Sequence, residues 1–263
     1  MMKRKENNNP MAHDLQVTNH ELVFGKNPVL EVIENSSLQV NKIWLSETLK
    51  DNDIKQRVIS YAKEKRIPFY MVPEEKIFSL TKTKNHQGMV LSISPIKYKS
   101  VSEVIHESVS SSKIILVAHE IEDAHNIGAM IRTFIAGKGN GVILTGRKNI
   151  GINATTIKTS AGALFHANFA RVTNCINVIN ELKKNNFWIV GTANSETSKS
   201  VYEIDFPEQV AIIVGNEHEG LGELIKKNCD FLAKIPISDK VDSLNVSVAF
   251  GVILFEILRQ RIS

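Results

Sequence analysis

Cysteine is nearly absent. Cys175 and Cys229 are the only two in 263 residues, they stand far apart, and no Cys-x-x-Cys occurs. That excludes a disulfide framework and a cysteine-based zinc or redox motif, and makes a reducing, cytoplasmic setting the expectation. Long apolar runs are missing too. The most apolar stretch, 246–258, has 13 residues and carries Glu256, whereas a membrane span needs ~20. The opening residues "MMKRKENNNPMAHDLQ" are basic and polar with no apolar stretch behind them, so no secretory leader is expected and 1–18 reads as a disordered tail. Neither charge dominates: 32 Lys and Arg stand against 28 Asp and Glu, a net +4, which suits nucleic acid without demanding it.

What is present is alternation. "NPVLEVIENSS" (27–37) has an Asn cap and Pro at the first helical position. "VNKIWLS" (40–46), "PFYMV" (68–72) and "GMVLSIS" (88–94) read as strands, and 53–66 has apolar positions at helical period. These residues, 19–96, form a first small α/β domain. The serine-rich stretch 97–112 reads as a linker, with a serine-capped surface helix as the alternative for part of it. From 113 to 263 the alternation is denser. Strands are expected at 113–119, 141–145, 187–193, 209–215 and 231–236, with helices at 126–137, 153–163, 174–186 and 219–228. Short, continuously apolar strands between helices predict a parallel sheet covered on both faces. The final helix, 246–258, is apolar nearly all round, which predicts burial in protein or a subunit interface.

Ligands of such sheets gather at the carboxyl ends of strands. Three polar stretches fall there: "HEIEDAHNIGAMIRT" (119–133), "GNEHEGLGE" (215–223) and "IPISDKVDSLNVS" (235–247). Nucleotide motifs fail. "GKGNG" (137–141) follows a helix rather than a strand. "GNEHEGLG" has Leu221 and Gly222 where a phosphate loop needs Lys-Ser/Thr, and its Glu217 and Glu219 repel phosphate. His119, Glu120, Glu122, Asp123 and His125 crowd together at no metal-ligand spacing, so a polar loop is expected there and no metal.

"NIGAMIRT", "GNEHEGLG" and "IP…SLNVSVA", in this order, resemble the three motifs of the SpoU/TrmH (SPOUT) family of RNA ribose 2'-O-methyltransferases. "FGKNPVLEVIE" and "NHQGMVLSIS" resemble the amino-terminal RNA-binding domain of its 23S rRNA guanosine branch. The resemblance implies an RNA substrate-binding domain over 19–96 and a SPOUT methyltransferase domain over 113–263. It also implies a carboxyl-terminal trefoil knot, S-adenosyl-L-methionine as cofactor, RNA (rRNA foremost) as substrate, and a homodimer through the final helix. Two positions depart from the family pattern: Ala124 replaces the proline of Asp-Pro-x-Asn, and Asp239 replaces a glycine after Ile-Pro-x-x. The departures leave substrate selection less determined than the reaction.

By resemblance, Arg132 is the essential arginine, able to hold the target phosphate through its planar fork. Asn126 is a helix cap or a substrate contact. Glu217 places substrate or the arginine, or makes a structural salt bridge. Ser243 and Asn245 present hydroxyl and amide at the final helix, where Ser243 also suits an N-cap. Gly215, Ile235 and Leu244 receive the adenosine part of the cofactor, and Thr192 and Ala193 line the same pocket. Trp188, in the strand before Thr192, is a candidate fluorescence reporter of cofactor binding. A tRNA substrate, a resistance-type rRNA adenosine and a catalytically silent RNA-binding relative are the alternatives.

Overall fold

The computed structural model describes residues 21–35 and 38–262. The tail expected over 1–18 and the end of the helix expected over 27–37 lie outside the described residues. The chain begins with β1 (Glu21–Phe24), α1 (Lys26–Asn35), β2 (Val40–Ser46), α2 (Asn52–Glu64), β3 (Phe69–Val72), α3 (Glu74–Thr81) and β4 (Met89–Ile93). The strands make one sheet in the order β1-β4-β2-β3, with β2 and β3 parallel and β4 antiparallel to both its neighbours. Helix α2 starts where the Asp51 side chain accepts the Ile54 amide at 3.2 Å. It buries Ile54, Val58 and Ala62, one stripe at four-residue spacing. That stripe and α1 cover the sheet face carrying Val23, Ile43, Leu45 and Leu91.

Then follow α4 (Val101–Val109), β5 (Ile114–His119), α5 (Ala124–Ala136), β6 (Gly141–Thr145), α6 (Ala154–Thr159), β7 (Asn168–Val172), α7 (Cys175–Lys184), β8 (Trp188–Thr192), β9 (Lys199–Ser200), β10 (Val210–Val214), α8 (Glu223–Asn228), β11 (Phe231–Lys234) and α9 (Val246–Ile262). All seven strands are parallel, in the order β7-β6-β5-β10-β8-β11-β9. Side chains alternate between the two faces. Ile114, Leu116 and Ala118 join the core under α5 and α9, while Ile115 and Val117 join the one under α4, α7 and α8. The continuous apolar runs in the sequence are therefore strands buried on both sides, as expected.

The serine-rich stretch expected as a linker contains α4. Ser100 and Glu103 form a reciprocal capping box, and Val101, Val104, Ile105 and Ser108 are buried. Its serines cap the helix or satisfy themselves locally: the Ser108 hydroxyl donates to the Val104 carbonyl at 2.8 Å. The two sheets are packed together through α6 and the 3₁₀ turn Ala163–His166. Gly162, at φ +89°, lets that turn approach α1 so closely that an added Cβ would lie 2.7 Å from Glu31 Cβ. His166 and Glu31 pair across this seam at 2.6 Å. Ala154 of α6 packs with Phe24 and Val90 of the first sheet and Ile77 of α3.

Candidate active site

A cleft of about 540 Å³ opens at the carboxyl ends of β8, β10 and β11, under the start of α9. The expected residues Thr192, Ala193, Gly215, Glu217, Ile235, Ser243, Leu244 and Asn245 all line it. The loop after β10 doubles back tightly. A Cβ on Gly215 would stand 2.5 Å from the Gly220 carbonyl carbon and oxygen, so only glycine allows the turn to close. Gly220 itself sits at φ +66°.

Asn126 is the junction of the site. It is buried in the first turn of α5, and its amide donates to Glu217 Oε1 at 2.8 Å. Its carbonyl oxygen accepts from Asn245 Nδ2 at 3.0 Å. Three polar stretches from three strand ends are thus tied by one side chain. Asn126 is not the helix cap. That post belongs to Asp123, whose carboxylate accepts the His125 amide at 2.8 Å. Ala124 is then the first helical residue, where proline is merely favoured, so its presence disturbs little. Asp239 lies outside the left-handed backbone region, so no left-handed turn there calls for glycine.

Ser243 does not cap α9 either. The Asn245 side chain accepts from the Ser247 amide at 2.9 Å and from its hydroxyl at 2.6 Å. Asn245 therefore caps the helix with its oxygen and reaches Asn126 with its nitrogen. Ser243 is left exposed on the cleft wall. This resolves why an apolar helix starts with polar residues: they form the cleft, and the apolar residues follow one turn deeper.

Arg132 is not brought into this cleft by its own chain. Six residues beyond Asn126, it lies roughly 240° around the helix from it, given 100° per residue, and it is exposed. Trp188 stands at the amino end of β8, the opposite end from Thr192, and stacks on Phe231 at 5.7 Å. It is poorly placed to report on the cleft. Asn216 was missed by the sequence reading. Its nitrogen donates to the Glu120 carbonyl at 2.9 Å and to Glu122 at 3.2 Å, while its oxygen accepts the His218 and Glu219 amides. It pins the β10 loop to the β5 loop. Its only sequence signal is an Asn directly after a strand-ending glycine. His119 is held below the usual histidine range by burial, and its Nδ1 lies 3.0 Å from the Thr145 hydroxyl. Among the described residues no three His, Cys, Asp or Glu side chains gather as a metal site. No described helix is long and apolar enough to cross a membrane.

A sequence model of the SpoU rRNA Methylase family matches residues 113–255, and one described as RNA 2'-O ribose methyltransferase substrate binding matches 22–99. YacO of Bacillus subtilis, named for the TrmH family of tRNA/rRNA methyltransferases, is 34% identical over 92% of this chain and 96% of its own. Among solved structures, the SpoU methyltransferase AviRb from Streptomyces viridochromogenes, in complex with AdoMet, superposes with a TM-score of 0.79 at 21% identity, covering 93% of this chain and 91% of that one. An AdoMet-bound rRNA methyltransferase from Sinorhizobium meliloti gives 0.78 at 22%, covering 93% and 89%. Fold and matches define an S-adenosylmethionine-dependent RNA 2'-O-methyltransferase. The chain belongs to the SpoU rRNA methylase family.

The cleft fits that cofactor on its own chemistry. Its walls are backbone and small or apolar side chains such as Ala193, Leu221, Ile235 and Leu244, which suit an adenosine. Its acids, Glu217, Glu219 and Asp242, would repel a phosphate-bearing cofactor and complement a cationic one, while Lys226 and Lys234 can meet a carboxylate.

Proposed function

We propose that this enzyme methylates the 2'-hydroxyl of a guanosine in large-subunit (23S) rRNA, as a cytoplasmic homodimer. Residues 19–96 serve as the RNA-binding part and 113–263 as the methyltransferase. The observation that carries the reading is the Asn245–Asn126–Glu217 chain at the cleft rim. The family matches of both halves to rRNA methylase and substrate-binding models support it.

When bound, S-adenosylmethionine supplies an activated methyl on a cationic sulfur. A ribose hydroxyl is a weak nucleophile, so the protein's task is to align it and manage one proton. Thr192, Ala193, Gly215, Ile235 and Leu244 hold the cofactor. Asn126, Glu217, Ser243 and Asn245 position the ribose, with the Asn126 bridge fixing the direction of the carboxylate. Arg132 holds the target phosphate. Because Arg132 lies outside its own cleft, the dimer matters: a second copy at α9 would place it at the partner's rim. The exposed apolar stripe Val248, Phe255 and Ile262, at seven-residue spacing and 52%, 51% and 87% exposed, supports such an interface. The resemblance implies a knot; the end of α9 is tied to the chain before β10 by Gln260, which bonds Ile204 and Phe206, and to the chain before β5 by Arg261, which holds the Ser112 carbonyl at 2.7 Å.

The test compares Arg132→Ala with wild type, measuring cofactor affinity by calorimetry and single-turnover methylation of unmodified rRNA and tRNA transcripts, with the modified nucleotide mapped. Cofactor affinity should hold while methylation falls on the order of 100-fold, as for loss of one preorganised electrostatic group. Wild-type turnover in the variant sinks the assignment of Arg132. Modification mapping to tRNA or to an adenosine would overturn the substrate, and no methylation of any transcript would favour a silent relative.

A further inference from the structure

The seam between the two sheets holds a lysine that the methyl transfer site does not use. Lys158, at the end of α6, is half-buried, and its Nζ lies 5.8 Å from the centre of the Phe24 ring and 3.4 Å from Gln87 Oε1. Burial holds its ammonium below the usual lysine range. Among the described residues it makes no ion pair, while Glu31 of α1 is engaged by His166 and Asp51, before α2, by Lys26. A partly desolvated cation with only an amide oxygen beside it is incompletely compensated.

Lys158 is also next to the active site along the surface. The following residue, Thr159, has its hydroxyl 3.3 Å from His125 Nδ1, and His125 immediately precedes the buried Asn126. On the other side, Gln87 Oε1 accepts the Lys26 backbone amide at 2.7 Å. Polar and cationic groups therefore run without a break from the first sheet's loops (Lys26, Gln87) across α6 (Lys158, Thr159) to the start of α5. The carboxylates at its two ends, Asp51 and Asp123, are engaged by Lys26 and by the His125 amide, which leaves Lys158 as the cation for a polyanion backbone.

We propose that Lys158, with Gln87 and His125, is a positioning contact for substrate RNA. The phosphodiester backbone flanking the methylated nucleotide crosses the seam and takes Lys158 as its counter-charge. This rests on the RNA methyltransferase reading above and extends it to a residue of the second domain that faces the first. Binding by the seam would set the ribose over the cleft while leaving the cofactor untouched.

The experiment uses the full chain with Lys158→Met, which keeps the stem against Phe24 and removes the charge, and Lys158→Arg, which keeps it. Binding is measured on single-stranded RNA from about 0.05 to 0.2 M salt. Methylation is measured separately on the transcripts. Lys158→Met should bind roughly five- to tenfold more weakly at low salt and lower the slope of log affinity against log salt by about 1. Its KM for RNA should rise more than its kcat falls. Its melting temperature and cofactor affinity should match wild type, and Lys158→Arg should restore binding. A Met variant with wild-type affinity and slope overturns the proposal. So does one that melts early but binds RNA normally, since Lys158 would then be a strut between domains. A wild-type enzyme that binds cofactor but methylates no transcript removes the functional reading, while the salt slope still decides the seam contact on its own.

Discussion

Replacing Asn126 by alanine deletes two hydrogen bonds at once, one to the Glu217 carboxylate at 2.8 Å and one from Asn245 at 3.0 Å. The site is 8% exposed, so water enters it poorly. A bond to a charged acceptor contributes roughly 1.5–3 kcal/mol and a neutral one about 1. Glu217 is only partly buried and regains water, which discounts the first figure. A net loss of about 2 kcal/mol follows, equivalent to a fall of roughly 4–8 °C in Tm for a chain of this size. Methyl transfer should drop by about 10- to 100-fold, because Glu217 and the start of α9 lose their common anchor and misplacement on the ångström scale is that costly. Thermal melting and single-turnover methylation check this together. Asn126→Asp adds discrimination: two carboxylates at hydrogen-bond distance cannot both ionise, so one must take up a proton. Its activity should be lost as pH rises. A variant Asn126→Ala that melts within a degree of wild type and methylates at its rate would refute the bridge as an organising element.

Gly215→Ala drives a methyl to 2.5 Å from the Gly220 carbonyl; the strain of about 1–3 kcal/mol should weaken cofactor binding by roughly 5- to 150-fold in calorimetry, and unchanged affinity would place the cofactor elsewhere. Phe255→Asp puts a charge in the exposed stripe of α9 and should yield monomers in sedimentation, whereas a dimer of wild-type stability would contradict the interface. Glu256 is held down to about 2, first by Arg259 and then by Gln260, against its ordinary 4.5. Its carboxylate therefore adds stability that is complete above pH 4.5 and fades as the pH falls toward 2, so Glu256→Gln should flatten the acid limb of the melting profile, and identical limbs would refute the assignment.

How much of this was legible in the sequence depends on how local each signal is. Strands β5 and β10 declared themselves because five apolar residues in a row have no other comfortable place, and β6 because Val-Ile-Leu stands between a glycine and a threonine. Strand β9 has two residues, and β7 interrupts its run with Arg171, so neither reads as a strand without its neighbour. The short β1 and α3 escaped for the same reason. Caps were left open between candidates. Asp123 and Asn126, like Ser243 and Asn245, are interchangeable as cap chemistry, and only the packed helix decides which one points at its own backbone. The tie that Asn216 makes to the β5 loop was out of reach, since Glu122 and Glu120 are 94 and 96 residues away in sequence.

Arg132 marks a different limit. Its place on α5 follows from helical period alone, and so does its divergence from Asn126. What the period cannot supply is what the second face of the helix, the one bearing Arg132, packs against. The structure puts the next residue, Thr133, against α9: a Cβ on Gly251 would lie 3.5 Å from its methyl. Phe134 and Phe250 lock the same two helices edge to face at 6.0 Å. Helix α5 is thus rigidly coupled on one side to the Glu217 loop and on the other to the helix that bears the apolar stripe. A second copy docked on that stripe would be positioned by the same rigid body that positions Asn126. On the proposed reading, assembly of a dimer on that stripe and alignment of the cleft would be one geometric condition, and an arginine outside its own cleft could then take part in the reaction.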